Sequence, residues 1–362
     1  MLMKRKKFIK NILLLIPAFM LMLLNSCKHD DLQITKENEN LRLGADFIRN
    51  NYDMTLFYAA IQKAGMADVL NGQGPFTILV PSNSAFQQLG ITKPSDFDKM
   101  NSDSLKGMIQ RHVLTQRLLF SDIPVNGVDI RYQTLAGTEV YASLAGYIPG
   151  NSQYPANNLY FNGSSVTRKD VNIANGIIQV INKVMKYTPR STVQDWLASR
   201  PQYSIFVSGL KKFGLWSQLN TTGPFTVFAP QNNVFEAQNI TAASIMALDT
   251  AVYSGRRLFG GYIINKKHYF ISDINVFYII NSEPAYVGHI TGDSWYQVVS
   301  TTRDYFTADV TYSMNLRTPI NYPYDNYPGA AGLLPALTDN LTDNGLVHDI
   351  QGLLLLPVQA LK

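Results

Sequence analysis

The chain has 362 residues, 46% of them hydrophobic and 16% charged, which suits about two globular domains of roughly 150 residues each. Its formal net charge of +5 comes from Lys4, Arg5, Lys6, Lys7 and Lys10; of the 31 basic residues, the rest balance the 26 acidic ones, all of which lie beyond residue 26. A neutral remainder excludes the charge excess of a nucleic-acid binder, and the single cysteine excludes an intramolecular disulfide and a Cys-based metal site.

From Ile12 to Leu24 runs an apolar stretch that would be about 20 Å long as a helix, too short for the roughly 30 Å core of a bilayer. With the cations before it, the stretch reads as an export signal over residues 1–26. Leu24-Asn25-Ser26-Cys27 resembles the lipobox of bacterial lipoproteins, in which the Cys thiol takes diacylglycerol and becomes the new N-terminus. The expectation is lipidation of Cys27, with two or three acyl chains holding the protein to a membrane more firmly than one could; a soluble secreted protein with an incidental thiol is the alternative. Lys28, Asp30 and Asp31 resemble the surface-export signal of some Gram-negative lipoproteins and also suit a plain polar tether, which continues through residue 43. The location these features imply is the outer membrane of a Gram-negative bacterium, facing outward.

Thr55 to Leu70 has helical spacing and ends in an Asn71-Gly72 turn. Gly74 to Phe86, GPFTILVPSNSAF, reads as a buried strand, a sharp corner and a helix capped from Ser82-Asn83-Ser84. Ser104 to Leu114 is a further predicted helix, with His112 on its apolar side. Glu139 to Ile181 changes to short alternating or aromatic runs broken by Asn162-Gly163 and Asn175-Gly176, the pattern of an antiparallel sheet. Tyr147 to Tyr154 is an aromatic, Asn-rich loop that suits either ligand contact or packing. A capping-box pattern, Ser191 to Gln194, starts a new helix after a short junction that should leave the two halves in contact.

Gly223 to Phe235, GPFTVFAPQNNVF, repeats the earlier stretch 149 residues on, with nine identities in nineteen positions once both copies extend to Thr92 and Thr241. Asn175-Gly176-Ile177-Ile178-Gln179-Val180-Ile181 and Asn344-Gly345-Leu346-Val347-His348-Asp349-Ile350 form a second repeated pair, 169 residues apart. Together these segments resemble the two signatures of the fasciclin domain. The resemblance implies an α+β fold: two tandem domains, each a β-sandwich or wedge flanked by helices, over residues 44–188 and 189–358. It also places His112 at the His of a Tyr-His motif linked to adhesion in animal members. Position 111 is Arg, and Gly-Gly-Tyr-Ile-Ile-Asn in the second half has no His there; a histidine packed at a helix end is the other reading, and integrin-type binding is not carried over.

The second half is twenty residues longer between its signatures, and a Tyr- and Pro-rich insertion at about 283–335 accounts for the excess. Tyr286, Trp295, Tyr296, Tyr322 and Tyr324, with Tyr147 and Tyr154 of the first half, are candidate contacts for a partner or glycan, since aromatic side chains offer a stiff face and a polar handle; covering a sheet is their alternative use. Asp339, Asp343 and Asp349 around His348 suit a hard cation or Asx-rich turns. No nucleophile, phosphate-loop or metalloprotease motif occurs. The sequence therefore points to a non-enzymatic cell-surface adhesion or interaction lipoprotein, without cofactor or metal, that binds a protein or matrix partner. The alternative is an accessory glycan-binding protein of an outer-membrane polysaccharide uptake system.

Overall fold

The computed structural model describes residues 40–146, 158–281, 285–303, 310–318 and 330–362. The export segment, Cys27, Lys28, Asp30, Asp31, Tyr147, Tyr154, Tyr322 and Tyr324 lie outside the described residues. The first signature folds as strand, corner and helix: β1 (Phe76–Pro81) is buried throughout, and the Ser82 hydroxyl accepts the Ala85 N–H to cap the helix Asn83–Gln87.

The remaining strands of the first half are β2 (Val113–Leu114), β3 (Ile130–Gln133), β4 (Glu139–Ala145), β5 (Asn158–Phe161), β6 (Ser164–Ile173) and β7 (Gly176–Ile181), hydrogen-bonded in the order β2-β1-β7-β6-β5-β4-β3. The second half has β8 (Phe225–Pro230), β9 (Ile263–Asn265), β10 (Ala285–His289), β11 (Tyr296–Arg303), β12 (Val310–Arg317), β13 (Ala330–Leu333), β14 (Asn340–Thr342) and β15 (Gly345–Ile350). Their order is β9-β8-β15-β13-β12-β11-β10, with β14 also on β15. β7 runs parallel to β1 with Gly176 opposite Phe76, and β15 runs parallel to β8 with Gly345 opposite Phe225. One plan is used twice. The single β6, irregular between Val166 and Val171, is divided in the second half into β13 and β14.

Both faces of the central pair are covered. Ile78, Val80, Ile178 and Val180 pack with the helices, whereas Leu79 and Ile181 pack with Val140, Leu144, Leu159 and Phe161 of the outer strands. Each sheet thus folds back over its own centre as a wedge with helices on the other side. Because neither face meets water, the central strands read as unbroken apolar runs.

The repeated motif residues are used inside the fold. A Cβ on Gly176 would lie 2.0 Å from the Phe76 carbonyl oxygen, and one on Gly345 would lie 2.1 Å from that of Phe225, so both positions require glycine. Asn175 accepts the Gly44 N–H and donates to the Leu70 and Gly72 carbonyls; Asn344 accepts the Val193 N–H and donates to those of Leu219 and Thr221. Asn83 ties the Leu56 N–H to the Tyr52 carbonyl, and Asn232 ties the Ile205 N–H to that of Pro201. The Thr77 hydroxyl links Gln116 to Leu118, as the Thr226 hydroxyl links Lys267 to Tyr269. Each set of contacts recurs at the equivalent place in the other half.

Three local expectations are corrected. The helix expected over Thr55 to Leu70 is two, Thr55–Lys63 and Ala67–Leu70, because Gly65 takes φ +64° and Met66 N–H turns back to the Ile61 carbonyl. The next helix runs Ser102–Arg111 and stops before Val113, which joins the sheet opposite Ile78. The cap of the helix Val193–Ala198 is Thr192 paired with Asp195, one residue beyond the Ser191 and Gln194 expected.

Asn344→Ala removes four hydrogen bonds, the longest of them from the Thr342 hydroxyl at 3.4 Å, and leaves the Val193 N–H and the Leu219 and Thr221 carbonyls without that partner. It should cost about 3 kcal/mol, read as a lower denaturant midpoint for the second half, whereas Asn340→Ala, which gives up two donations, to the Leu337 and Val347 carbonyls, and strands no N–H, should cost less.

Candidate functional site

His112 is fully buried at the C-terminal end of its helix. Its Nδ1 lies 2.8 Å from the Met108 carbonyl, and its Nε2 receives the Met185 N–H at 3.2 Å. A ring nitrogen that accepts an amide proton carries none itself, so the proton sits on Nδ1 and the ring is neutral. Burial pushes its pKa down to about 4. His112 offers nothing to a partner. In the second half the equivalent amide, Leu354 N–H, is accepted by the buried Tyr262 hydroxyl at 2.8 Å. Constant spacing puts Gly261 opposite His112, which hides this replacement one residue later.

The Gln or His of the closing signature has an equally internal task. Gln179 accepts the Asp170 N–H and donates to the Leu118 carbonyl; His348 accepts the Asp339 N–H on Nδ1 and donates from Nε2 to the Tyr269 carbonyl. His348 is therefore neutral as well, with its pKa lowered chiefly by burial, and its 3.8 Å approach to Asp339 is not an ion pair. The nearby carboxylates do not converge. Asp339 holds Lys183 at 3.3 Å, Asp343 accepts the Tyr187 hydroxyl, and Asp349 accepts the Tyr203 hydroxyl at 2.9 Å. Among the described residues no group of three His, Cys, Asp or Glu side chains is placed to hold a metal ion.

Three of the aromatic candidates fall within the described residues, and they do not form one platform. Tyr286 packs on Tyr269 and Phe277 at 5.0 and 5.3 Å between ring centres, with the Lys267 ammonium over its ring. Tyr296 meets His289, its cross-strand neighbour, at 4.2 Å. Tyr286 pairs with Val299, so Tyr286 and Tyr296 point to opposite faces of the β10–β11 hairpin. Trp295 packs against the core with the Arg257 guanidinium 5.0 Å above it.

Beside Trp295 the fold assembles a basic cleft from residues that lie far apart in the sequence. An open cleft of about 700 Å³ is lined by Lys212, Arg256, Arg257 and Lys362, with Asp293, Phe213 and Tyr253. Asp293 binds Arg257 through Nε at 3.1 Å. Arg256 donates instead to the Gly292 carbonyl and Lys362 to the Thr250 carbonyl. Carbonyl contacts orient a cation without neutralising it.

A second polar concentration lies at the seam between the halves. His268 meets Asp129 at 3.2 Å under the ring of Tyr141, Asn275 donates to the Tyr160 hydroxyl, and Lys186 donates to the Ala336 and Thr338 carbonyls. Phe270, Leu341 and Leu346 pack there with Tyr141 and Tyr187. The adjoining cleft, about 20 Å³, has room for a water and not for a sugar.

The fasciclin-domain family model matches residues 52–187 and 201–277. Human periostin is 28% identical over 199 residues, which cover 54% of this chain and 22% of periostin; the chain thus spans about a fifth of that relative. Protein sll1483 of Synechocystis sp. is 27% identical over 136 residues, 37% of this chain and 68% of that protein. A solved FAS1 domain pair from the insect cell adhesion molecule fasciclin I aligns with 84% of this chain and 97% of its own at 20% identity and a TM-score of 0.39.

Asp273, buried at the seam, has its carboxyl pushed up to about 7 by desolvation, with Asp339 and Asp129 adding to the rise and Ser143 and the Phe270 N–H opposing it. The folded chain therefore holds a proton that the unfolded chain, with its pKa near 3.8, has released. Stability from this group is present below that lower value and lost as pH rises toward 7. Asp273→Asn keeps an acceptor for the Phe270 N–H and removes the charge, so it should raise the melting temperature at about pH 8 and leave it nearly unchanged at about pH 4, as followed by scanning calorimetry.

Proposed function

The chain belongs to the fasciclin-domain family, and from that premise we propose that it is a non-enzymatic adhesion or interaction module tethered to a membrane through a lipid on Cys27. The reading is carried by one combination: a lipobox-like N-terminus followed by a polar tether and two copies of a domain whose family is linked to adhesion in its animal members. Residues 1–26 act as the export signal, and Lys28, Asp30 and Asp31 direct display on the outer face of a Gram-negative outer membrane. The partner is a protein or matrix component. It is met by loops and outer strands, because the signature residues are occupied by internal hydrogen bonds. Among the described residues no helix is long and apolar enough to cross a membrane.

Cys27→Ala should move the protein from the detergent phase to the aqueous phase in a cloud-point partition, and should abolish attachment of whole cells to a surface that captures the wild type. Unchanged partition would refute the anchor. Loss of the anchor without loss of attachment would refute the adhesive role.

A further inference from the structure

We propose that the cleft between Lys212, Arg256, Arg257 and Lys362 binds an acidic saccharide, a short run of sugar rings bearing carboxylate or sulfate groups. The assignment stands on the cleft alone and needs neither the lipid anchor nor an adhesive role.

The charge balance of the lining is the first reason. Four basic side chains meet one acidic one, and that carboxylate, Asp293, is taken by Arg257. Arg256 and Lys362 are positioned by the Gly292 and Thr250 carbonyls, so their charge stays available to a ligand. Lys212, at the end of the helix Ser204–Lys212, contributes a further ammonium to the same cleft. Three basic side chains without an acidic side-chain partner in one concavity stand out in a chain that is otherwise balanced beyond its N-terminal segment. A concavity lined mostly by one sign of charge concentrates the potential felt by an anion.

Shape and lining select among anions. A lone inorganic anion would leave most of a cleft of about 700 Å³ empty, whereas this volume lies in the range of sites that enclose a drug-sized ligand. Phe213 and Tyr253 line it too, offering aromatic surface for the C–H face of a sugar ring. A nucleic acid, with a charge on every phosphate, would run from this cleft onto a surface lacking any general excess of cations. An acidic polysaccharide, whose charges are spaced by whole rings, needs only the local cluster.

The test uses the full chain purified in detergent and titrated calorimetrically with a trigalacturonate, a heparin-derived tetrasaccharide and neutral maltotriose. Binding of either acidic probe, weakened by salt and absent for maltotriose, is expected; the preferred probe tells carboxylate from sulfate. Lys212→Ala and Arg256→Ala should each weaken that binding about tenfold, the loss of one charge-assisted contact, with the thermal melt unchanged because both side chains lie away from the core. Lys63→Ala, on a helix of the first half, should bind as wild type. No binding of either acidic probe, equal binding of maltotriose, or binding indifferent to both cleft substitutions would overturn the assignment. Retention only on anionic phospholipid vesicles would overturn it in favour of a membrane surface.

Discussion

The parallel contact of β1 with β7, and its copy of β8 with β15, sets the geometry of all the rest. The two backbones approach at Gly176 and Gly345 closely enough that any side chain there would enter the facing carbonyl. Such an approach buries peptide groups at the strand ends and in the flanking turns, where regular ladder bonds run out, and each must still find a partner. The Asn before each of these glycines serves this need, joining the entering helix to the turn that precedes the strand. The Gln or His further along the same strand bridges the amide of Asp170 or Asp339 to a carbonyl in the loop beyond β2 or β9. A neutral side chain with one donor and one acceptor, suitably spaced, is what the position requires, which explains why two chemically unlike residues serve equally.

With the signatures spent on the interior, what distinguishes the two halves lies at their periphery. The first half presents Asp129, Tyr141, Lys183 and Lys186 to the seam, and the second answers with His268, Phe270, Asp339 and the turn around Ala336. Part of this contact is apolar and part is hydrogen-bonded, with an ion pair, Lys183 to Asp339, whose carboxylate is buried. Breaking one partner of a buried pair strands the other, so the contact is specific as well as adhesive. The basic cleft lies elsewhere, on the second half alone, built from segments that the first half has in a different form.

The duplication and the strand-corner-helix unit were legible because they depend on short-range features: a Gly-Pro entry, an apolar run too short for a helix, and a capping triplet. The α+β fold followed from the paired signatures. Gly65 showed what a pattern of apolar spacing overlooks, since Leu56 to Val69 keeps helical periodicity across a left-handed residue that ends the helix. The exchange of His112 for Tyr262 was illegible for another reason: the two side chains reach the same amide from the same place beside the sheet, but one extra residue upstream in the second half shifts the offset, so a constant spacing of 149 misses the match. The aromatic residues of the long second half were visible as a composition, but their sharing of a face depends on strand register, and register separates Tyr286 from Tyr296. The basic cleft gathers residues up to 150 positions apart, Lys212 to Lys362, so no local pattern reveals their meeting place.

Asp170 and Asp339 occupy the same left-handed position in the two halves, and each accepts an amide from the loop beyond β2 or β9, Phe120 in one case and Ile271 in the other. In the second half one oxygen of this carboxylate also reaches across to Lys183 of the first. The copied residue has thereby acquired a polarity along the chain: its duty toward its own module is ancestral, and its duty toward the preceding module exists only because another module comes before it. A chain with the modules transposed would retain both wedges, yet Lys183 would have no carboxylate to meet and Asp339 no upstream neighbour. The order of the pair is thus written into the fold.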